Sequence, residues 1–149
     1  MLYLVDTDVL LRLFDRSDPN HGAIRTALKL LRSHGHSLVT TPQNIAEFWN
    51  VSTRPSTARG GFGQSVAMTD QRVRFIERFG VVLAESAAAY SDWRNLVLSL
   101  NVTGASVHDA RIAALMRISG VTHILTLNAR DFQRYPKITA TIPDEVLQT

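Results

Sequence analysis

The chain has 149 residues, no cysteine and a formal net charge of +3, from 16 basic and 13 acidic side chains. A chain of this length can bury its own core, so we expect one domain over residues 1–149, and the lack of cysteine excludes disulfide scaffolds, iron–sulfur clusters and thiolate zinc sites. No apolar run is long enough to cross a bilayer and the first residues lack the basic segment of a secretory signal, so we expect a soluble, cytoplasmic protein without a membrane partner.

The first half of the chain alternates short apolar runs with helical patterns. Leu2–Val5 predicts a buried strand, which passes into a short helix after Asp6. A second amphipathic helix precedes Ser37–Thr40, the second predicted strand. A third helix then begins at Thr41 and Pro42, because threonine is a favourable N-cap and proline suits the first helical position.

The second half continues the same alternation after a loop. Arg54–Gln64 is predicted to be irregular because it holds a proline and three glycines. The elements that follow are strands at Val81–Leu83, His123–Leu127 and Ile138–Ile142, with helices over Val73–Phe79, Ser86–Leu100 and a segment capped by Ser106.

Strands separated by helices predict an α/β fold of three layers. A central, mostly parallel sheet of four to five strands is flanked by helices on both faces. In open sheets of this kind, ligands bind outside the carboxyl ends of the strands. That edge is therefore where functional residues are expected.

Five polar residues fall at this predicted edge although they lie far apart in the sequence. Asp6 ends the first strand, and Glu47 lies on the helix after the second. Asp109 opens a later helix, while Asn128 and Asp131 follow the fourth strand. Because the fold gathers these positions at one edge, we expect their side chains to form a cluster.

Each of these residues also has a purely structural interpretation. A carboxylate at the end of a strand can cap a helix, a serine and an acid three residues apart can form a capping box, and asparagine suits left-handed turns. The structural alternatives are helix capping for Asp6 or Asp8, a capping box of Ser106 with Asp109, a solvated surface position for Glu47, a left-handed turn for Asn128 and a turn cap for Asp131.

Clustered carboxylates have a chemical use that the structural alternatives lack. They raise each other's pKa, and a divalent cation removes that repulsion. Oxygen ligands select Mg²⁺ or Mn²⁺, which can activate water against a phosphodiester. The sequence contains no HExxH, GxxxxGK[ST], GxGxxG or GxSxG motif, so zinc hydrolases, P-loop proteins, dinucleotide-binding folds and serine hydrolases are not indicated.

The motifs around these residues resemble those of the PIN-domain ribonucleases, and most closely the VapC-type toxins of bacterial toxin–antitoxin modules. The matching segments, in order, are LVDTDVLL around Asp6, NIAEFWNV around Glu47, SVHDARIAAL around Asp109 and LTLNARDF around Asn128 and Asp131. No single motif is specific, but the four occur in order over nearly the whole chain.

The resemblance implies a PIN-like fold, an Mg²⁺- or Mn²⁺-dependent endoribonuclease acting on RNA, a cognate antitoxin and a homodimer. Asp6, Glu47 and Asp109 match the family's first three acids and are the implied metal ligands. Asn128 and Asp131 match the last segment, where they would position water or the outer shell of the site. The family often has aspartate at the position of Asn128, and an amide brings no charge to a second metal.

Two further features of the sequence concern nucleic acid and self-association. Only two of the 16 cations are lysine, and arginine suits bidentate phosphate contacts, although a bias in codon usage explains this equally well. Arg54 and Arg59, on the glycine-rich loop, are candidates for the RNA backbone, with a flexible solvated loop as the alternative. The candidate dimer surfaces are the exposed surfaces of two helices, one carrying Ile24, Leu28 and Leu31 and the other carrying Tyr90 and Trp93.

Two other functions stay open at this point. Asp6 and Asp8 also fit the DxD motif of haloacid-dehalogenase-type phosphatases, but Leu10 stands where those enzymes have threonine or valine. The second alternative is a degenerate PIN-like module that binds RNA or a protein without catalysis, which Asn128 permits.

Overall fold

Five strands and eight helices alternate along the chain in the computed structural model, which describes residues 1–149. The strands, β1 to β5 in chain order, are Leu2–Val5, Ser37–Thr40, Val81–Val82, His123–Leu125 and Thr139–Thr141. The helices, α1 to α8, are Thr7–Leu13, His21–Ser33, Pro42–Thr53, Val66–Phe79, Ala87–Ser99, Ser106–Ile118, Ala129–Phe132 and Pro143–Val146.

The strands form one parallel sheet in the order β3-β2-β1-β4-β5. Strand β1 lies at its centre, where Tyr3 is in register with Leu38 on one side and His123 on the other. The chain builds outward from β1 to β3 and then crosses over to β4 on the opposite side. The strand order therefore reverses between β1 and β4, and such a switch point opens a crevice at the carboxyl edge.

The sheet separates two apolar cores. Successive strand residues point to opposite faces, so Val5 joins a cluster with α1 to α4 and α8, while Leu4 joins a cluster with α5 and α6. Both side chains are fully buried, as are Phe48 in the first core and Met116 in the second. This arrangement confirms the predicted three-layer α/β fold and makes the sheet parallel throughout.

The capping prediction for Ser106 is wrong. Helix α6 begins at Ser106 with Ala105 as its N-cap and has no side-chain capping bond, so Ser106 neither caps the helix nor forms a capping box with Asp109. Ile24 and Leu28 pack in the core, so the exposed face of α2 opposite to them remains the candidate for self-association. None of the helices is both long and apolar enough to traverse a bilayer.

Candidate active site at the carboxyl edge of the sheet

Asp6 lies at the centre of the cluster, directly after β1. It is 8% exposed and serves as the N-cap of α1. Its Oδ1 accepts hydrogen bonds from the backbone N–H of Thr7 at 2.8 Å and from Asn44 Nδ2 at 3.1 Å, while Oδ2 accepts one from Thr126 Oγ1 at 2.7 Å. Burial, and then the charge of Asp8, raises the pKa of Asp6 to about 7 despite these bonds.

Asp8, for which the sequence suggests a helix cap or the second acid of a DxD motif, also belongs to the cluster. Its Oδ2 accepts hydrogen bonds from the backbone N–H of Leu127 and from Asn128 Nδ2, both at 3.1 Å. Its Oδ1 is buried and has no hydrogen-bond partner. Burial raises the pKa of this carboxyl as well. The capping alternative is therefore wrong for Asp8, because Asp6 takes that position, and Asp8 instead links α1 to the segment after β4.

Glu47 reaches the cluster because α3 begins beside it. Thr41 caps this helix by accepting a hydrogen bond from the backbone N–H of Asn44 at 3.0 Å. One turn later, Glu47 Oε2 accepts a hydrogen bond from Thr7 Oγ1 at 2.8 Å, and its Oε1 accepts one from Gln43 Nε2 at 2.9 Å. Glu47 is thus partly buried and held by two side chains, and the solvated alternative is wrong.

Asp109 faces the same cluster from the first turn of α6. It is partly buried. Burial raises its pKa to about 6, and repulsion from Asp131 and Glu47 adds to the shift, while His108 opposes it. Because these charges affect the pKa of Asp109, the carboxylates of Glu47 on α3, Asp109 on α6 and Asp131 on α7 lie close enough to interact electrostatically. The fold therefore brings Asp6, Glu47 and Asp109 together at one edge, as the sequence pattern predicts.

The two residues after β4 occupy different environments. Asn128 has φ of −114°, so it is not in the left-handed turn conformation, and its backbone N–H donates to Thr126 Oγ1 at 3.1 Å. Asp131 is exposed on α7 and acts on the cluster through its charge. Asn128 thus contacts Asp8, whereas Asp131 lies at the outer rim.

Asn44 and Gln43 were not identified from the sequence. Asn44 is fully buried, and its Nδ2 donates to both Asp6 Oδ1 and, at 3.0 Å, Thr7 Oγ1. A polar side chain four positions before the buried Phe48, on the inward face of α3, is the signal that could have found Asn44.

The loop arginines lie apart from these hydrogen bonds. Arg54 donates from Nη1 to the backbone oxygen of Arg59 at 2.8 Å, and the side chain of Arg59 is exposed. Backbone bonds tie the loop to the end of α3: the N–H of Gln64 donates to Ser52 oxygen and the N–H of Phe62 to Val51 oxygen. Arg54 therefore supports the loop, and Arg59 is the arginine left facing solvent.

The donor atoms of the cluster suit a hard cation. No three histidine or carboxylate side chains are arranged closely enough to form a preassembled cage for a metal ion. The ligand atoms at the edge are nevertheless all oxygens, which is the chemistry that Mg²⁺ and Mn²⁺ prefer. The unpartnered Oδ1 of Asp8 and the raised pKa of Asp6 both indicate charge that an added cation would neutralise.

Comparison with known proteins agrees with this architecture. The family model described as "PIN domain" matches residues 3–138. No curated protein is significantly similar to the chain in sequence.

Several solved structures share the fold at low sequence identity. VapBC2 from Rickettsia felis, solved with a DNA fragment from its promoter, has a TM-score of 0.70 at 15% identity and covers 95% of this chain and 98% of that chain. VapBC-1 from nontypeable Haemophilus influenzae has a TM-score of 0.69 at 16% identity, covering 97% and 99%. Mycobacterium tuberculosis VapC20, described as a sarcin–ricin loop cleaving toxin, has a TM-score of 0.54 at 19% identity, covering 82% and 86%.

Proposed function

This chain belongs to the PIN-domain family, and from that premise we propose that it is the toxin nuclease of a toxin–antitoxin pair, an Mg²⁺- or Mn²⁺-dependent endoribonuclease. The observation that carries the proposal is the convergence of Asp6, Asp8, Glu47 and Asp109 at the β1–β4 switch point. Carboxylates held together against their own repulsion are unfavourable for folding unless a cation offsets them. RNA presents its phosphodiesters as partners for such a cation.

Asp6, Glu47 and Asp109 are the residues proposed to hold the metal. Bound there, the cation would supply an activated water and offset the charge that develops on the phosphate. Asn44 and Thr126 orient the carboxylate of Asp6 toward the edge. Glu47 accepts hydrogen bonds at both of its oxygens, and we propose that it completes the site and orients or deprotonates the attacking water.

Asn128 and Asp131 are proposed to act at the outer part of the site. Asn128 steadies Asp8 through its amide and leaves its own carbonyl oxygen free to hold water. Asp131 adds negative charge at the rim, where it raises the pKa of Asp109 and strengthens the attraction of the site for a cation.

The partners of the proposed activity are RNA, a cognate antitoxin and a second copy of the chain. The solved neighbours from Rickettsia felis and Salmonella typhimurium are VapBC complexes, which supports an antitoxin for this chain too. The description of VapC20 as a sarcin–ricin loop cleaving toxin supports RNA as the substrate class. We place the activity in the cytoplasm, where RNA is met, and sedimentation velocity decides whether the chain forms the proposed homodimer.

Cleavage assays test the proposal directly. The purified protein should cut structured RNA with Mg²⁺ or Mn²⁺ and not with EDTA, and Asp6→Asn and Asp109→Asn should each reduce cleavage at least 100-fold, by about 3 kcal/mol of transition-state stabilisation. Asp70→Asn is the matched control, because Asp70 lies on α4 in an exposed ion pair with Arg74 at 2.9 Å. The proposal is contradicted if Asp6→Asn still cleaves RNA, or if the wild type cleaves RNA equally well in EDTA. It is also contradicted if the protein hydrolyses a small aryl phosphate and not RNA.

A non-catalytic binding module is the second candidate, and two observations favour it. The amide of Asn128 stands where a charged ligand is common in the family, and the carboxylates form no preassembled cage. In that case the wild-type protein retains RNA on a filter, with or without metal, and never cuts it. Expression of the wild-type chain without its antitoxin should arrest growth if it is a nuclease toxin, and leave growth unchanged if it only binds.

A further inference from the structure

A cleft of about 320 Å³ opens beside the carboxylate cluster, on the β2–β3 side of the same sheet edge. Its walls come from the start of α3, from α5 and from α6. Gln43 joins the cleft to the carboxylate cluster. Its side chain lines the cleft, and its Nε2 donates to Glu47 Oε1 and to the backbone oxygen of His108, each at 2.9 Å. The cleft therefore begins where the carboxylate cluster ends.

The walls of this cleft combine aromatic rings with a cation. Tyr90 is 61% exposed, and its ring lies 6.0 Å from that of Trp93 at an interplanar angle of 33°. The indole N–H of Trp93 donates to the backbone oxygen of Val107 at 2.9 Å, which fixes the ring in place. Arg111 lies on the same wall and makes only a long ion pair with Glu85 at 3.4 Å, both side chains being about half exposed. An exposed tyrosine supported by a fixed indole offers a surface for stacking.

The amide of Gln43 has one hydrogen-bonding atom left over. Both partners of Nε2 are acceptors, so the amide cannot be flipped without losing two hydrogen bonds. Its Oε1 is buried and has no partner. A buried acceptor without a donor is unfavourable, and the amino and imino groups of nucleobases are donors of the kind that this oxygen lacks.

We propose that this cleft is a subsite for one unpaired nucleobase beside the scissile phosphate, stacked against Tyr90 and Trp93, with Arg111 on a neighbouring phosphate. The inference rests on the proposed nuclease function and gives that nuclease a preference for the nucleotide next to the cut. Single-stranded RNA is bound in this way, by stacking on aromatic rings and by arginine contacts to the backbone. The sharing of Gln43 with the carboxylate cluster favours a base of the substrate over a side chain of a protein partner.

Kinetics on short single-stranded RNA with one randomised position next to the cut test the subsite. Tyr90→Ala should raise KM roughly tenfold, flatten the nucleotide preference and leave kcat nearly unchanged, whereas Tyr90→Phe, which keeps the ring, should retain both KM and preference. Arg111→Ala should raise KM without changing the preference. Glu85→Gln should lower KM several-fold, because it releases Arg111 from its ion pair.

Phe75→Ala is the matched control for these variants. Phe75 is 49% exposed on α4, on the other face of the sheet, where its ring contacts that of Phe14, and its loss should leave KM and preference unchanged. Equal preferences in wild type and Tyr90→Ala overturn the inference. So does a Tyr90→Ala variant that loses only its binding to a protein partner, because the cleft then receives a side chain and not a base.

Fluorescence separates the subsite from catalysis. The chain has two tryptophans, so Trp49→Phe leaves Trp93 as the single reporter. In EDTA, where no cleavage occurs, pentaadenylate, pentacytidylate and pentauridylate should quench the fluorescence of Trp93 to different extents. Tyr90→Ala should raise the oligonucleotide concentration that gives half-maximal quenching about tenfold. Absence of quenching overturns the subsite even if the protein cuts RNA. Quenching without cleavage in the presence of any divalent metal overturns the proposed nuclease function but supports the proposed base-binding subsite.

Discussion

The two carboxylate oxygens of Asp8 differ in their hydrogen bonding: one accepts hydrogen bonds and the other has no partner. Oδ2 is held by the segment after β4, through the backbone of Leu127 and the side chain of Asn128. Thr126 Oγ1 also lies 3.4 Å away, but its single proton is better used on Asp6 at 2.7 Å. Oδ1 is buried without any donor. One oxygen thus serves the fold, and the other has no hydrogen-bond partner within the protein.

Substitution of Asp8 should separate these two uses. In Asp8→Asn the carbonyl can still accept from Leu127 and a repulsive charge is gone, so we expect unchanged or higher stability and at least tenfold slower cleavage. In Asp8→Ala the N–H of Leu127 loses its partner, so stability should also fall by about 1–3 kcal/mol. Urea unfolding and metal-dependent cleavage measure the two effects. Full activity in Asp8→Asn would remove Asp8 from the site.

The sequence identifies acids that follow strand ends but not the residues that hold them. Asp6 and Asp109 could be found because strand order fixes where their backbones lie. Asp8, Gln43 and Asn44 could not, since their roles depend on side-chain partners up to 120 positions away, as in the contact of Asp8 with Asn128. Local spacing carries no information about such pairs.

The first turn of α3 connects the cap of that helix to the carboxylate of Asp6. Thr41 accepts from the backbone N–H of Asn44 and donates to its Oδ1 at 2.6 Å. That second bond turns the amide of Asn44 so that Nδ2 points at Asp6 and Thr7. The helix cap therefore also sets the orientation of the carboxylate that ends β1.

Removal of this cap should affect both stability and cleavage. Thr41→Ala should cost about 1 kcal/mol of unfolding free energy, the usual value of an N-cap, and slow cleavage several-fold because Asn44 loses its orientation. Thr41→Ser keeps the hydroxyl and should behave like wild type in both respects. Loss of stability with fully retained cleavage in Thr41→Ala would show that Asn44 holds Asp6 without help from the cap.

The loop at Arg54–Gln64 is an element in which the two arginines differ. A side chain at Gly61 would collide with the backbone of Arg54 and Pro55, so the loop folds back closely on itself. Arg54 supports that turn, and Arg59 extends from it into solvent. The two side chains therefore should not have the same effect on RNA binding, although the sequence presents them alike.

Filter binding over a range of salt concentrations tests the difference. Arg59→Ala should weaken binding about equally for all RNA sequences and reduce the salt slope by about 0.7, the value for one phosphate contact on a single strand. Arg54→Ala should mainly lower thermal stability. Arg74→Ala, another exposed arginine that pairs with Asp70, is the control. An unchanged salt slope in Arg59→Ala would exclude a phosphate contact by this residue.

Elements were predictable where a cap or an apolar run marks them, and not otherwise. Pro42 and Thr41 mark the start of α3, and the apolar run Leu2–Val5 matches β1. Helices α7 and α8 have only four residues each, too short for any periodicity to develop. The Ser106 prediction failed because the turn at Gly104, with φ of +59°, already starts the helix one residue earlier than a serine cap requires.

For the whole molecule, the important contrast is between the net charge and its distribution. The chain carries +3 overall, yet one edge of its sheet concentrates carboxylates whose pKa values are raised to about 7 for Asp6 and about 6 for Asp109. An acid whose pKa is raised on folding binds its proton more tightly in the folded state than in the unfolded chain. Its contribution to stability is therefore fully present below about pH 4 and is lost as the pH rises through 6 and 7.

Chemical unfolding across pH, in EDTA and in Mg²⁺, tests this balance. In EDTA the advantage in unfolding free energy of Asp6→Asn over wild type should grow between pH 4 and pH 8, since the wild type must ionise one more buried carboxyl, that of Asp6, as the pH rises. Saturating Mg²⁺ should stabilise the wild type by about 2–3 kcal/mol at pH 8, the linkage expected at 100-fold excess over Kd, and by much less at pH 5, where protons compete for the ligands. In Asp6→Asn the Mg²⁺ effect should be small at both values. Equal stabilisation of both proteins by Mg²⁺ would mean that the cation binds elsewhere, and the carboxylate edge would then lack the ligand that its chemistry requires.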